Sequence, residues 1–300
     1  MRVFITGASG HIGSAVVPEL LAAGHHVIGL ARSDRSAAAL AAAGAEVRGG
    51  DLDDLDGLRA AARAADGVIH LAFKHDIAFT GDYAGAARAD LRSIEAIGAA
   101  LEGSGKPFVG TSGTLQLALS ALGRPGTEQD TRDAGPRVDA ENTVIALARR
   151  GVRSSVIRLA PTVHSSLDHH GFVPALIGMA RKNGFAAYVG DGANRWPALH
   201  TLDAARLYRL ALESAPAGSR LHGVADEGVP FREIAQAIGR GAGVPANSVT
   251  AEQAAAHLGF LAMFTQLDNP TSSAHTREIL RWSPTHPGLL ADLAERHYFA

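Results

Sequence analysis

The sequence predicts an α/β protein, a doubly wound parallel sheet with a smaller C-terminal lobe, and three observations carry that prediction. The chain opens on a short β-rich run, Arg2-Val3-Phe4-Ile5, that meets a glycine turn and then an apolar stretch through Leu21. Strand-like and helical segments alternate from there to Leu159, and repeated βα units imply parallel strands joined by crossovers. After Pro161 the alternation breaks into irregular segments before helical runs resume. Residues 1–163 are therefore expected to form the doubly wound domain, to which 195–215 returns, with 164–194 and 216–300 forming the smaller lobe.

The glycine turn carries the first chemical signal. Gly7, Gly10 and Gly13 are spaced G-x-x-G-x-x-G around Ser9, His11 and Ile12, a pattern that lets backbone turn tightly and approach a pyrophosphate on a helix N-terminus. Gly24 supplies a helix stop and residues 26–30 a second strand, which completes the ~30-residue βαβ unit of a Rossmann-type fold. Pro18 falls inside the expected helix, where its missing amide should kink it. At the end of the second strand, where an acidic side chain would bind an NAD ribose, the chain has Arg32-Ser33-Asp34. A guanidinium beside a hydroxyl suits a 2′-phosphate, so NADP is the expected cofactor, with NAD and Asp34 at the ribose as the alternative.

The later elements follow from the same alternation. Strands are expected at 45–48, 67–73, 107–110 and 152–159, and helices at 53–65, 82–102 and 138–150. Asp51-Leu52 follows the third strand, where an acid and an apolar neighbour could meet an adenine, or the acid could cap the next helix. Beyond Pro161, helices are expected through Lys182 and over 202–213, 231–239 and 251–264.

Composition bounds the function classes. Twenty-eight Lys and Arg against thirty Asp and Glu leave a net charge of −2, so no strong field recruits nucleic acid or an anionic membrane. The absence of cysteine removes disulfides, a thiol nucleophile and thiolate metal sites. No apolar run reaches the ~18 residues of a membrane span, and the N-terminus lacks the h-region of a signal peptide, which places the expectation in the cytoplasm. His164, Asp168, His169 and His170 are the only metal-like constellation; an irregular loop cluster of this kind reads as polar surface, and no metal is expected. Gly110-Thr111-Ser112-Gly113 is not a G-x-S-x-G nucleophile elbow, which disfavours a serine hydrolase.

Three further segments carry a family resemblance. Arg158-Leu159-Ala160-Pro161-Thr162-Val163, the run from Arg195 through His200 and Asp203, and Leu280-Arg281-Trp282-Ser283-Pro284 stand in order behind the glycine motif. With them the chain resembles the extended and atypical short-chain dehydrogenase/reductases, near the nucleotide-sugar epimerases and dehydratases. The resemblance implies a cofactor groove lined by the glycine loop, Arg32, Ser33, Asp51, Leu52, Ala72, Phe73, Thr111, Ser112, Pro161, Thr162 and Val163. It also implies a monomer or homodimer acting on a small molecule.

The chain departs from that family where protons move. The family's proton donor is the Tyr of Y-x-x-x-K, with a Glu eight residues after it, and anchoring on Glu141 puts Asp133 and Arg137 at the Tyr and Lys positions. An ionised carboxylate only accepts and arginine stays protonated, so this pair cannot run the usual relay. An Asp133–Arg137 ion pair holding the start of the helix is the expectation, the alternative being a buried, protonated Asp133. The family serine falls near Gly113, leaving Ser112 and Thr114 as hydroxyls, and Asp90 stands where the family often has Asn. His164, His75 and Tyr188 remain as substrate contacts and replacement donors. The leading reading is an NADP-dependent oxidoreductase reducing a small carbonyl or related C=X group. The alternatives are a non-catalytic NADP(H)-binding sensor and a sugar-nucleotide epimerase or dehydratase.

Overall fold

A computed structural model describes residues 1–78, 80–120 and 122–300. Its first half is β1 (Arg2–Thr6), α1 (Gly13–Ala22), β2 (His26–Ala31), α2 (Asp34–Ala42), β3 (Glu46–Gly49), α3 (Leu55–Ala64), β4 (Gly67–His70), the short α4 (His75–Ala78), α5 (Tyr83–Leu101) and β5 (Pro107–Gly113). The short α6 (Leu115–Ala118), α7 (Val138–Ala146), β6 (Arg153–Leu159), β7 (Thr162–His164), α8 (Phe172–Asn183), β8 (Ala186–Val189), β9 (Arg195–His200) and α9 (Thr201–Ser214) follow. The chain ends with β10 (Ser219–Gly223), β11 (Asp226–Pro230), α10 (Phe231–Ala242), β12 (Ala246–Val249), α11 (Ala251–Leu258), α12 (Ala274–Leu280) and α13 (Leu289–Asp292).

Seven parallel strands form the main sheet in the order β10-β6-β5-β4-β1-β2-β3. Period-two alternation loads both of its faces. Val3, Ile5, Val27, Ile69, Val109 and Ile157 point into one core with α1, α9 and Trp282. Phe4, Ile28, Val68, Phe108 and Val156 point into the other, against α3, α5 and α7. Helix α1 ends as expected at Gly24 (φ +79°), whose left-handed backbone lets the His25 amide reach the Leu20 carbonyl, a Schellman closure. The expected kink does not break this helix: α1 is continuous through Pro18, and the lost bond falls on the Ser14 carbonyl near its start.

The second core gathers Val173, Ile177, Trp196, Phe231, Ile234, Ile238 and Leu289 around a three-stranded sheet, β11-β9-β7, and a two-stranded one, β12-β8. Three sequence expectations change in the structure. Residues 219–223, expected in the smaller lobe, form β10 beside β6 in the main sheet, with Leu221 fully buried there. The helix expected over 251–264 stops at Leu258, because Gly259 adopts φ +51° and the chain continues as short 3-10 turns. Strand β5 extends beyond the expected residue 110 to Gly113, pairing Ser112 with Arg158 on β6.

The two halves of the chain meet at a buried ion pair. Arg158 is fully buried on β6 and its Nη2 lies 2.5 Å from Oε1 of Glu141 on α7, while Arg220 of β10 donates to the same oxygen at 2.9 Å. Burial alone would raise the Glu141 pKa, but hydrogen bonds and charge from Arg158 and Arg220 outweigh it and hold the group below its usual range. Removing one partner of a buried pair strands the other charge, at a cost of about 3–5 kcal/mol. Glu141→Gln is therefore expected to lose about that much stability at neutral pH in urea unfolding. Because the folded-state pKa is depressed, the carboxylate's contribution is present above its unfolded pKa of about 4.3 and fades as pH falls through the folded value. The gap between wild type and variant should close in acid; a gap independent of pH would contradict the assignment.

Candidate active site

Strand order reverses between β1 and β4, since β2 and β3 continue to one side of β1 while β4, β5 and β6 build the other. The crevice at the C-terminal ends of such a pair is where open α/β sheets bind ligands. Gly7 leaves β1 with φ +70°, and a Cβ placed on it would lie 2.7 Å from the Ala72 amide nitrogen. A Cβ on Gly13 would lie 2.2 Å from the Gly7 carbonyl oxygen. The first and third glycines are therefore required by close backbone approach. Among the described residues, the amides of His11, Ile12 and Gly13 have no protein acceptor, and they stand at the N-terminus of α1, where an anion is favoured. This cradle fits the pyrophosphate of a dinucleotide.

The remaining predicted cofactor positions ring this crevice or sit behind it. Arg32, at the exit of β2, is mostly exposed and pairs with Asp76 at 3.0 Å, and Ser33 caps α2 by accepting the Ser36 amide. Asp51 accepts the amides of Asp53 and Asp54, which shapes the turn into α3, while Asp54 caps that helix and Leu52 is buried. Thr111 donates to the His70 carbonyl and shares a 2.8 Å contact with the Tyr208 hydroxyl. Thr162 gives its hydroxyl to the Pro197 carbonyl, and Val163 packs on the first core beside Pro161. Beneath the crevice, Thr6 Oγ1, His70 and Asp90 form a buried chain with contacts of 2.8 and 3.0 Å. It braces the exits of β1 and β4 against α5.

Several expected catalytic groups are committed elsewhere. Ser112 is buried and accepts from Gln116, which in turn bonds Glu141. Thr114 is fully buried and accepts from Asn269. Asp133 is exposed and its carboxylate forms no ion pair among the described residues, so neither the expected pair with Arg137 nor a buried, protonated Asp133 is found. Arg137 instead turns inward: its Nη2 donates to the Thr111 carbonyl at 2.7 Å and its guanidinium lies 4.4 Å over the Phe73 ring. The Phe73 ring also meets His75 at 5.1 Å and Tyr83 at 6.0 Å. Sequence reasoning missed Tyr83, because no motif marks it and only the fold brings the start of α5 to the exit of β4.

His164 is fully buried, its Nδ1 bonded to Asp292 at 2.8 Å and its ring 5.5 Å from His200. It cannot reach a substrate in the crevice. Tyr188 packs on the second core beside Gly192 and Arg232. His169 and His170 are exposed and face each other at 6.3 Å, and no group of three His, Cys, Asp or Glu among the described residues is arranged to hold a metal.

A second network ties the glycine loop to the smaller lobe. Thr201 sends its one hydroxyl proton to the His164 carbonyl, so the 2.8 Å contact from His11 Nε2 makes His11 the donor. Its other nitrogen then faces Asp168 bare at 3.7 Å. Burial, followed by the neighbouring histidines, lowers the His11 pKa to about 4, and burial raises Asp168 to about 6. At neutral pH His11 is uncharged, so the contact with Asp168 is not an ion pair. Tyr298 completes the network by accepting the Ser165 amide at 3.0 Å and donating to Asp168 at 3.4 Å.

Comparison with known proteins agrees with this geometry. The model of the NAD dependent epimerase/dehydratase family matches residues 3–113. An uncharacterized protein of Schizosaccharomyces pombe is 48% identical over 301 residues, covering the whole of both chains. A 2′-dehydrokanamycin reductase of Streptomyces kanamyceticus is 30% identical over 268 residues, which cover 86% of this chain and 72% of that protein. The chain belongs to the NAD-dependent epimerase/dehydratase family. A dTDP-glucose 4,6-dehydratase from Streptomyces venezuelae, solved with NAD bound, shares the fold with a TM-score of 0.78 at 20% identity, over 100% of this chain and 96% of that one. NAD(P) binding is typical of this family, and the glycine cradle is the part of this chain that fits such a cofactor.

The cradle has a direct consequence. Gly13→Ala would force the Gly7 carbonyl away, and it is expected to weaken both NADPH and NADH by about tenfold or more, ~1.4 kcal/mol. Fluorescence titration of the purified variant measures this, and unchanged affinities would place the dinucleotide elsewhere.

Proposed function

We propose that the protein is an NADP-dependent oxidoreductase that reduces a small carbonyl or related C=X compound. The observation that carries this reading is a cradle fitted to a pyrophosphate combined with Arg32 at the exit of β2, where recognition of NAD would call for a carboxylate. A reduced nicotinamide bound in the crevice supplies a hydride. The glycine loop holds the phosphates through unspent amides, and Arg32 with Ser33 receives the 2′-phosphate by charge-assisted hydrogen bonds. Phe73 and Thr111 at the exits of β4 and β5 bound the space where the substrate carbonyl would meet the ring. The 2′-dehydrokanamycin reductase, by its name a reductase, supports the reaction class.

One observation favours a second reading, a non-catalytic NADP(H)-responsive protein. Anchoring on Glu141, as in the sequence reading, sets the family's Tyr and Lys against an exposed Asp133 and an Arg137 that always carries its charge. The two readings separate when NADPH oxidation is followed across a panel of aldehydes, ketones, quinones and imines. Turnover with any of them supports the reductase, and tight NADPH binding without turnover supports the sensor.

Cofactor preference is tested independently. Arg32→Ala is expected to weaken NADPH by about tenfold or more, ~1.4 kcal/mol, and to leave NADH nearly unchanged. Asp76→Asn, which frees the guanidinium from its carboxylate partner, should tighten NADPH. Equal losses for both cofactors in Arg32→Ala would contradict the NADP assignment.

A further inference from the structure

We propose that Tyr83 is the proton donor of this site, with Arg137 as the fixed cation that stabilises its phenolate; the assignment rests on the reductase reading above. Tyr83 is the first residue of α5, directly after Asp82, whose carboxylate caps the helix by accepting the Gly85 amide at 2.7 Å. The cap fixes where the helix begins and so where the phenol projects. The side chain is 45% exposed, which leaves it open to a ligand. Its ring lies 6.0 Å from Phe73, which follows the exit of β4 at the switch point. The same Phe73 ring carries the Arg137 guanidinium at 4.4 Å and the His75 imidazole at 5.1 Å. Three groups with complementary proton chemistry therefore converge on one ring at the mouth of the cofactor crevice.

The other tyrosines are excluded by their positions. The sequence has four. Tyr208 is fully buried against Thr111, Tyr298 is engaged by the Ser165 amide and Asp168, and Tyr188 belongs to the second core.

The electrostatics suit a donor. Burial holds the Tyr83 phenol above its ordinary pKa, Arg137 pulls it down, and Asp90 pushes it up. The phenol is thus protonated at neutral pH, which is the state a donor needs. Arg137 cannot pass a proton, but a cation tethered to the Thr111 carbonyl can stabilise a phenolate without reorganising. His75, held below its ordinary pKa by burial and then by Arg137, is neutral and can relay a proton from solvent.

The step balances. Hydride arriving at the carbonyl carbon forms a C–H bond and moves the C=O π pair onto oxygen. That oxygen takes the phenolic proton of Tyr83, giving the alcohol. The phenolate regains a proton from water through His75, so one hydride and one solvent proton are consumed for each carbonyl reduced.

The test uses the full chain and the carbonyl compound most rapidly reduced in the panel. Tyr83→Phe is expected to bind NADPH within twofold of wild type, as judged by about 0.4 kcal/mol or less, and to lose about a hundredfold or more in kcat. A variant that keeps its kcat within about threefold overturns the assignment, since a general acid contributes more than that. Wild type that binds NADPH and reduces nothing overturns both the reductase reading and this one. A second readout needs no turnover: the ultraviolet phenolate band of the cofactor-free protein is titrated with base. One phenolate transition above the ordinary tyrosine range should vanish in Tyr83→Phe and move to still higher pH in Arg137→Met. A transition that stays in place in Arg137→Met removes the proposed role of the cation.

Discussion

The site depends on one buried carboxylate. Glu141 lies on α7 and takes hydrogen bonds from Arg158 of β6, Arg220 of β10 and Gln116 after β5. Arg158 in turn donates to the Asp130 carbonyl and touches His222 on β10. A charge pair taken out of water gains little net stability over apolar packing, but it permits few arrangements, because each missing partner leaves an unpaid desolvation. The node therefore sets the register of α7 against β5 and β6. Arg137 stands one helical turn before Glu141, so the same node that joins the strands delivers the guanidinium to Thr111 and Phe73. The loop between α6 and α7 is drawn in as well: Glu128 is buried and accepts from the amide and hydroxyl of Thr276 at the start of α12.

What the sequence made legible was whatever is determined locally. The glycine loop is such a case, since tight turning and close approach are demands on the backbone of those residues themselves, and Gly7 and Gly13 meet them literally. Strand alternation is another, with Val3, Phe4 and Ile5 dividing between two cores in the order their spacing requires. The surroundings of the hydroxyls expected to be catalytic were not legible, because Ser112 and Thr114 look identical on paper whether they face a crevice or are consumed by Gln116 and Asn269. The same holds for His164, whose loop context suggested exposure while Asp292, 128 positions later, buries it. Strand β10 escaped because its partner β6 lies more than sixty residues earlier, a pairing no local pattern encodes.

The second network gives the glycine loop a physical tie to the smaller lobe. His11 reaches Thr201 at the start of α9, Thr201 meets Ser165 after β7, and the Ser165 amide meets Tyr298 near the C-terminus. Every link is a hydrogen bond between neutral groups at neutral pH, so the chain of contacts positions without adding charge beside the phosphates. A charged His11 would contribute its own attraction to an anion; the burial that keeps it neutral leaves that task to the backbone amides and the helix dipole.

The proposed proton donor asks for no change in the fold around the crevice. Its floor is set by the exits of β1, β4 and β5, while its rim is contributed by α5 on one side and the start of α7 on the other. Any polar side chain on that rim within reach of the same point can serve, because stabilising a developing charge depends on distance and desolvation rather than on which helix holds the group. In this chain a cation, Arg137, stands at the start of α7 and a phenol, Tyr83, at the start of α5, with Phe73 between them as a common surface. Arginine suits that arrangement better than lysine would. Its planar guanidinium can lie on an aromatic face and still donate to a carbonyl, whereas a compact ammonium would give up one contact to make the other.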